Sequence, residues 1–562
     1  MENARKKRIE QLTLDLVRIQ SDTGTRQEID VEKFLHAWLG ELTYFKSRPD
    51  YFGLYPLAQD PLKRCVVWGL VKGQGDQTVI LMHHHDVVDA FDFGSLKKWA
   101  YDPPTLQGLL QERALSRDAR QDLESGRWLF GRGTGDMKGG AAIQLVLLEE
   151  YAARPGFKGN ILLLSVPDEE SLSAGMRGSL RLLIDLKARF KLDYRILINS
   201  EPHAREQGTC GTFHVGSAGK LLPVVYVRGK KTHIGQIYQG LNPVLLLSEI
   251  VLQTELNTDY TDQVQGEVSP PPSWSYLRDR KEVYDASIPP SAGGYLSLIH
   301  LKRTPDKLIQ QLKTSCETAF QRVIERIQQS HAAHSRKKNE QAPAPSWALS
   351  VRTFAELYQQ ALNDSGRTFR AAYDGFLASI VSAIEQRHLN MPEATFQIIE
   401  LTLEHVKDLS PIVVIALCPP YYPPIHNDGF TDRSASIQSL IDHLIRFADS
   451  RWQEAYKITN YMMGITDLSY AALQNGENII PSIGPNMPLW KKVYDIPFSE
   501  MQTLSIPVIN IGPWGKDLHK FTERVYKTDL YERTPALLEC AVDYILSSRE
   551  QWTSDLSNAK RF

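Results

Sequence analysis

Residues 78–88 read TVILMHHHDVV. A short run of β-branched and apolar residues, Thr78 to Met82, leads straight into three histidines and an acid. Apolar runs of this length that end in polar residues are read as buried strands. Side chains alternate along a strand, so His84 and Asp86 share one face while His83 and His85 share the other. The triplet alone does not say which histidine, if any, holds a metal, because histidine clusters at strand ends are also ordinary surface features.

The same pattern recurs on either side. VVWGL (66–70), NILLLSVP (160–167) and YRILINSEP (194–202) are strand-like, and GGAAIQLVLLEEYAARP (139–155) is helical. Strands alternating with helices predict an α/β domain whose mostly parallel sheet is covered on both faces. Ligands of such sheets bind at the carboxyl ends of the strands. His84, Asp86, Asp168, Glu169, Glu170 and Glu201 all end such runs and are expected along one sheet edge. IPVINIGPWGKDLH (506–519) reads as a further strand ending in His519.

The middle of the chain differs. KLLPVVYVRG (220–229), NPVLLLSEIVLQTEL (242–256), GGYLSLIHLKR (293–303), DKLIQQLKTSCETAFQRVIERIQQ (306–329) and PIVVIALC (411–418) give strand, helix, strand, helix, strand. This order predicts a small split βαβ, ferredoxin-like α+β domain. It is interrupted by the charged, Pro/Ala-rich SRKKNEQAPAPSW (335–347) and a helical block over about 346–408. Loop and block together are read as an insertion over about 331–408. The resulting division is 1–212 and 427–562 for the α/β domain, with 213–426 inserted between them.

Composition narrows the function classes. The chain has 562 residues, enough for more than one core, with 42% hydrophobic and 23% charged residues and a net charge of −2. That balance gives no reason to expect nucleic acid or a membrane surface as partner. The first twenty residues place Ile9, Leu12, Leu16 and Ile19 at helical spacing and lack a signal-peptide apolar core. Five scattered cysteines without a CxxC pair are expected to be free thiols, and the default location is the cytoplasm.

The acids and histidines at the strand ends carry the chemistry. They are HxD with His84 and Asp86, GRGTGDMKGG with Asp136, PDEES with Glu169 and Glu170, NSEP with Glu201, and GKDLHKFTE with His519. Two imidazoles plus carboxylates suit zinc or a similar divalent ion, and one shared carboxylate would let the set serve two ions. Each piece alone has a plainer reading: a glycine-rich turn, a solvated acid pair, a surface histidine. Their conjunction in this order does not.

In that order the motifs resemble the M20 family of metallopeptidases and amidohydrolases, which includes carboxypeptidases, aminoacylases and succinyl-diaminopimelate desuccinylase. HHDVVD, GITDLSY and YLSLIHLKRTP resemble most closely a family member of arginine utilization. The resemblance implies a zinc-peptidase-like catalytic domain with an inserted lid and dimerisation domain. It implies two Zn2+ per chain, with Co2+ or Mn2+ as substitutes, held by His84, Asp136, Glu170, Glu201 and His519. Asp136 would bridge the ions, Asp86 would orient His84, and Glu169 would be the general base. The family usually has glycine where this chain has His83.

RGKKTHIGQIYQGLNP (228–243) resembles the family's lid segment, in which a histidine reaches the partner subunit's site. His233 would then stabilise developing charge, Asn242 falls in the matching G-x-N, and the protein would be a homodimer through the lid. Asp467, in GITDLSY, also matches a family position, with substrate contact or a structural role equally open. The implied reaction is hydrolysis of a small amide or short peptide. Two alternatives stand beside it: a non-catalytic metal-bound protein that binds a metabolite or regulates, and a ureidohydrolase of the allantoate amidohydrolase type. The segment between Trp99 and Arg132 is longer than the family spacing and is expected to be a surface loop.

Overall fold

The strand Gln74–His84 lies inside an eight-stranded sheet, between Lys158–Val166 and Asp193–Asn199, and is parallel to both. The register sets His84 opposite Val166 and Met82 opposite Asn199. Three chains therefore leave the sheet at one edge, as His84–Asp86, Pro167–Glu170 and Ser200–Glu201. The computed structural model describes residues 2–205, 210–339, 343–430 and 433–547. Met1, the end of the chain beyond 547, and Glu340–Ala342 of the Pro/Ala-rich loop lie outside the described residues.

The full strand order is Phe52–Pro56, Cys65–Lys72, Lys158–Val166, Gln74–His84, Asp193–Asn199, Val508–Asn510, Gly211–His214 and Tyr456–Thr459. The sheet is mixed, because Cys65–Lys72 runs antiparallel to Lys158–Val166. Only Gly73 separates Cys65–Lys72 from Gln74–His84, and one residue is too short for the crossover that a parallel strand needs.

The helix Lys138–Ala152 has 12 buried residues among its 15, which marks it as a core helix rather than a surface one. It begins two residues after Asp136, so the core anchors the end of the loop that carries this acid. The helix Glu2–Arg18 packs on it through Ile9, Leu12 and Leu16, each contributing about 1.5–3 kcal/mol by burial. Ile19 lies just past the last helical residue.

Two sequence expectations change in this unit. The Trp99–Arg132 segment is not a loop: it forms the helices Pro103–Leu110 and Arg117–Glu124 and the strand Trp128–Phe130, with Leu106, Leu110, Leu123, Trp128 and Phe130 in a small core. His519 does not end a strand. Val508–Asn510 is only three residues long, and His519 lies in the turn between Gly515–Lys516 and Arg524–Tyr526, at φ 64°. Beyond the strand, glycine at 512 lets the chain pass close to Glu201, where a Cβ would lie 1.9 Å from the carbonyl oxygen.

The chain divides into two compact units, 1–217 with 425–474 and 497–562, and 218–424 with 475–496. In the second unit five strands run in the order Ser273–Asp279, Ser291–His300, Gly219–Arg228, Ile412–Tyr422, Val351–Thr353. The helices Pro243–Thr254 and Pro305–Lys338 make its elements run β–α–β–β–α–β along the chain. The strand Ser273–Asp279 is absent from the sequence reading. The block at 346–408 opens on a strand, Val351–Thr353, parallel to Ile412–Tyr422, before its helices Phe354–Glu385 and Met391–Glu404. Residues 475–496 belong to this unit and not to the α/β domain. Leu489 is buried among Phe354, Leu357 and Ile412, and Asn486 accepts a hydrogen bond from Ala355 N.

Candidate metal centre

At the sheet edge one carboxylate faces two ways. Asp136 Oδ1 lies 3.1 Å from His84 Nε2, and Asp136 Oδ2 lies 3.1 Å from His519 Nε2. Glu201 Oε1 is 3.2 Å from His84 Nε2, and Glu170 Oε2 is 3.1 Å from His519 Nε2. Donor atoms of His84, Glu169 and Glu201 lie within 4.8 Å of one another, as do those of His84, Asp136 and Glu170.

These residues fit a divalent pair. Ligands at about 2.0–2.2 Å from a tetrahedral ion are roughly 3.3–3.6 Å apart, close to the separations around His84 and His519. Glu170 Oε1 is buried without a hydrogen-bond partner, an acceptor awaiting a cation. Burial pushes the Glu201 carboxyl up to about 8, and the nearby charge of Asp136 adds to this; Glu170 is raised for the same reasons. The donors are imidazole and carboxylate, the set suited to zinc, cobalt or manganese.

Of the three histidines, only His84 turns toward the carboxylates. Its Nδ1 is 2.9 Å from the Asp86 backbone carbonyl. A carbonyl only accepts, so Nδ1 carries a proton and Nε2 is the nitrogen that would take a metal. Without one, burial is outweighed by Glu201 and Asp136, which hold the ring well above its usual pKa. His83 Nδ1 is 3.0 Å from Gln144 Oε1, and His85 Nδ1 is 2.9 Å from Ser165 Oγ. Burial lowers these two rings to about 4 and about 3, so both are neutral core histidines at pH 7.

Asp86 orients its histidine through its backbone, while its carboxylate, 3.6 Å from the ring, has another task. Its two oxygens accept the amide N–H groups of Glu169 (3.1 Å) and Glu170 (3.2 Å). Neighbouring side chains on a strand point in opposite directions, so both glutamates can face one site only from a turn. Asp168, at φ 71°, starts that turn. Its amide donates to Glu28, and its carboxylate accepts from Arg64 at 2.7 Å and from Ala174 N at 3.1 Å. Burial, reinforced by Glu201, Asp467 and Glu170, holds the Glu169 carboxyl well above the usual range.

The Asp136 loop has its own support. Glu523 Oε1 accepts the amides of Gly135 and Asp136, both at 3.2 Å, and Glu523 Oε2 accepts from Arg132 at 2.6 Å. Arg132 also reaches Asp92 at 2.7 Å. A Cβ at Gly140 would lie 2.2 Å from the Ser200 carbonyl, so glycine lets this loop close on the Glu201 strand end. The sequence reading missed Glu28, Arg64, Arg132 and Glu523. Arg132 and Glu523 stand inside the quoted motifs, but nothing local pairs residues 391 positions apart.

Asp467 is buried at the start of the short helix Asp467–Tyr470, beside Ser173, and burial pushes its carboxyl up to about 7. The helix cap is Thr466, which accepts from Leu468 N. In the second unit, His233 is exposed and accepts from Gly235 N at 3.1 Å. Asn242 caps the helix Pro243–Thr254, its oxygen accepting from Val244 N at 3.0 Å.

The family model for Peptidase family M20/M25/M40 matches residues 81–541. The uncharacterized protein YqjN of Bacillus subtilis (strain 168) is 33% identical over 546 residues, which cover 96% of each chain. Protein RocB of the same organism is 30% identical over 558 residues, covering 96% of this chain and 95% of RocB. Among solved structures, the M20 family metallo-carboxypeptidase Sso-CP2 from Sulfolobus solfataricus superposes with a TM-score of 0.52 at 12% identity, covering 96% of this chain and 99% of that one. That last likeness concerns the fold.

Proposed function

This chain belongs to peptidase family M20/M25/M40, and on that premise we propose that it hydrolyses the amide bond of an N-acyl amino acid or short peptide with two Zn2+ ions per chain. The observation that carries this reading is Asp136, whose two oxygens serve His84 with Glu201 on one side and His519 with Glu170 on the other. When bound there, a divalent pair supplies Lewis acidity to the amide carbonyl and to a water molecule. Glu169 accepts the proton of that water and returns it to the leaving amine nitrogen. Its raised affinity for a proton, caused by burial, suits both halves of that transfer. Asp86 holds Glu169 and Glu170 in place through their amides, and Asp86 and Glu523 each fix a backbone segment rather than touch substrate.

In this reading the protein is a cytoplasmic homodimer formed through the second unit. Support comes from the edge strand Ser273–Asp279 and the exposed Leu252, Leu256 and Leu277. His233, exposed on its loop, would stabilise charge developing on the carbonyl oxygen in the partner subunit's site. Asn242 and Asp467 are assigned to substrate positioning. The resemblance to an arginine-utilization member suggests a role in arginine or amino-acid catabolism.

The test is bound metal per chain, followed by a panel of N-acyl amino acids and dipeptides with Glu169→Gln alongside. About two ions, turnover on the panel, and a loss of about 10²–10⁴-fold in Glu169→Gln with ligand binding retained are expected. Ammonia among the products would point to ureido hydrolysis. Full metal loading with no turnover on any member of the panel would overturn the hydrolase reading in favour of a metal-bound binding protein.

A further inference from the structure

His519 and His84 are held in very different ways. His84 is 1% exposed and braced through Nδ1 by the Asp86 carbonyl. The His519 side chain is half exposed, and its ring meets the carboxylates of Asp136 and Glu170. What places His519 is therefore the hairpin that carries it.

That hairpin contains an electrostatic conflict. Lys516 and Arg524 are directly opposed across its two strands. Like charges at facing positions of an antiparallel pair repel. The conflict is met from outside by the helix Arg117–Glu124. Asp118 and Asp122 are four residues apart and share one face of that helix. Lys516 Nζ donates to Asp118 (3.0 Å) and to Asp122 (2.9 Å). Arg524, fully buried, donates through Nε to Asp122 at 2.7 Å, through Nη2 to Asp118 and through Nη1 to Asp517. Both cations also lie over the Trp128 ring, with centroid distances of 4.8 Å for Lys516 and 5.6 Å for Arg524. Trp128 itself belongs to the same inserted segment.

We propose that the inserted helix Arg117–Glu124 is a clamp on the His519 hairpin. Asp118 and Asp122 are positioning residues that set the cation affinity of the Asp136–Glu170–His519 half of the centre, while the His84–Asp136–Glu201 half is independent of them. The inference rests on the metal-site reading given under Proposed function. It follows from the geometry that loss of the two acids leaves Lys516 without counter-charge and Arg524 with Asp517 alone, so the facing cations repel and loosen the turn between them.

The experiment loads wild type, Asp118→Asn/Asp122→Asn and His519→Ala with Zn2+, then counts ions per chain across a chelator series. Parallel Co2+ spectra identify which half empties. Wild type is expected to keep about two ions where the double variant keeps about one. The weaker ion should bind about 10- to 100-fold less tightly, in the range seen when supports behind a ligand are removed. The Co2+ spectrum of the double variant should approach that of His519→Ala. Adding Lys516→Gln should restore the second ion in part, because one of the two opposed charges is gone. Retention of both ions at wild-type affinity, or equal weakening of both, would overturn the proposal. Wild type that binds no metal would instead overturn the metal-site reading, and the clamp with it. If the double variant fails to fold, Asp118→Asn alone decides. Asp118 is largely exposed, and the single change should weaken the same ion in the same direction.

Discussion

Asp86→Asn gives the sharpest test of how the two adjacent glutamates come to face one site. In the native turn each Asp86 oxygen accepts one amide hydrogen, from Glu169 at 3.1 Å and from Glu170 at 3.2 Å. Asparagine keeps one acceptor and turns the other atom into a donor, which then faces an N–H. One hydrogen bond to a charged group is lost, a term of about 1.5–3 kcal/mol, and a buried amide is left stranded, a term of about 1–3 kcal/mol. The two terms overlap, so the native turn should be weakened by roughly 2–4 kcal/mol. At 1.36 kcal/mol per tenfold, that corresponds to a fall of about 30- to 1,000-fold in kcat/KM. The contact between His84 and the Asp86 carbonyl survives the change, because it is made by the backbone. The ion on the His84 side should therefore stay bound while the one that depends on Glu170 weakens. The assay is kcat/KM on the best substrate of the panel, with metal counted on the same sample. An Asp86→Asn enzyme with wild-type kcat/KM and two tightly held ions would refute the argument.

Three further outcomes are expected. His84→Ala should lose metal, whereas His83→Ala should keep both ions, since the His83 ring is bonded to Gln144 and not to the carboxylates; metal analysis of the two variants checks this, and the opposite result would reassign the ligand. Arg132→Met removes the partner of a buried glutamate and should cost about 3–5 kcal/mol in urea unfolding, most of it recovered in Arg132→Met/Glu523→Gln, where no buried charge is stranded. The metal-free protein should lose stability as pH rises from about 6.5 to about 8, above the range in which the buried, neutral His83 and His85 oppose the trend. Burial raises Glu201 to about 8 and Glu523, Asp467 and Glu32 to about 7, so the fold holds protons that the unfolded chain has already released, at 4.5 for the glutamates and 3.8 for the aspartate. Stability from these groups is present below the unfolded values and is lost as pH passes through the folded ones. Melting curves across that window should flatten on adding Zn2+, and a metal-free midpoint that climbs with pH would contradict the assignment.

The sequence by itself placed His84, the Glu169–Glu170 pair and Glu201 at neighbouring strand ends, while the candidate ligand set came from the resemblance of the motifs. Strand alternation coupled His84 to Asp86, and the apolar runs ending at His84, Val166 and Asn199 predicted neighbouring strand ends, because those signals are local and repeat every two residues. It also separated the second unit, whose helices carry a different order of elements. Local signals could not reach the rest. The pairing of Arg132 with Glu523, of Arg64 with Asp168, and of Asp118 and Asp122 with Arg524 joins residues far apart in the chain, and no spacing rule encodes such partners. The strand Ser273–Asp279 and the place of residues 475–496 were decided by what each segment could pair with or bury against, which exists only once the other elements have assembled. The Asp86 carboxylate is the clearest case. Its residue type and its position beside His84 were legible in the sequence, but its task was fixed by two amides more than 80 residues away that folding brings to it.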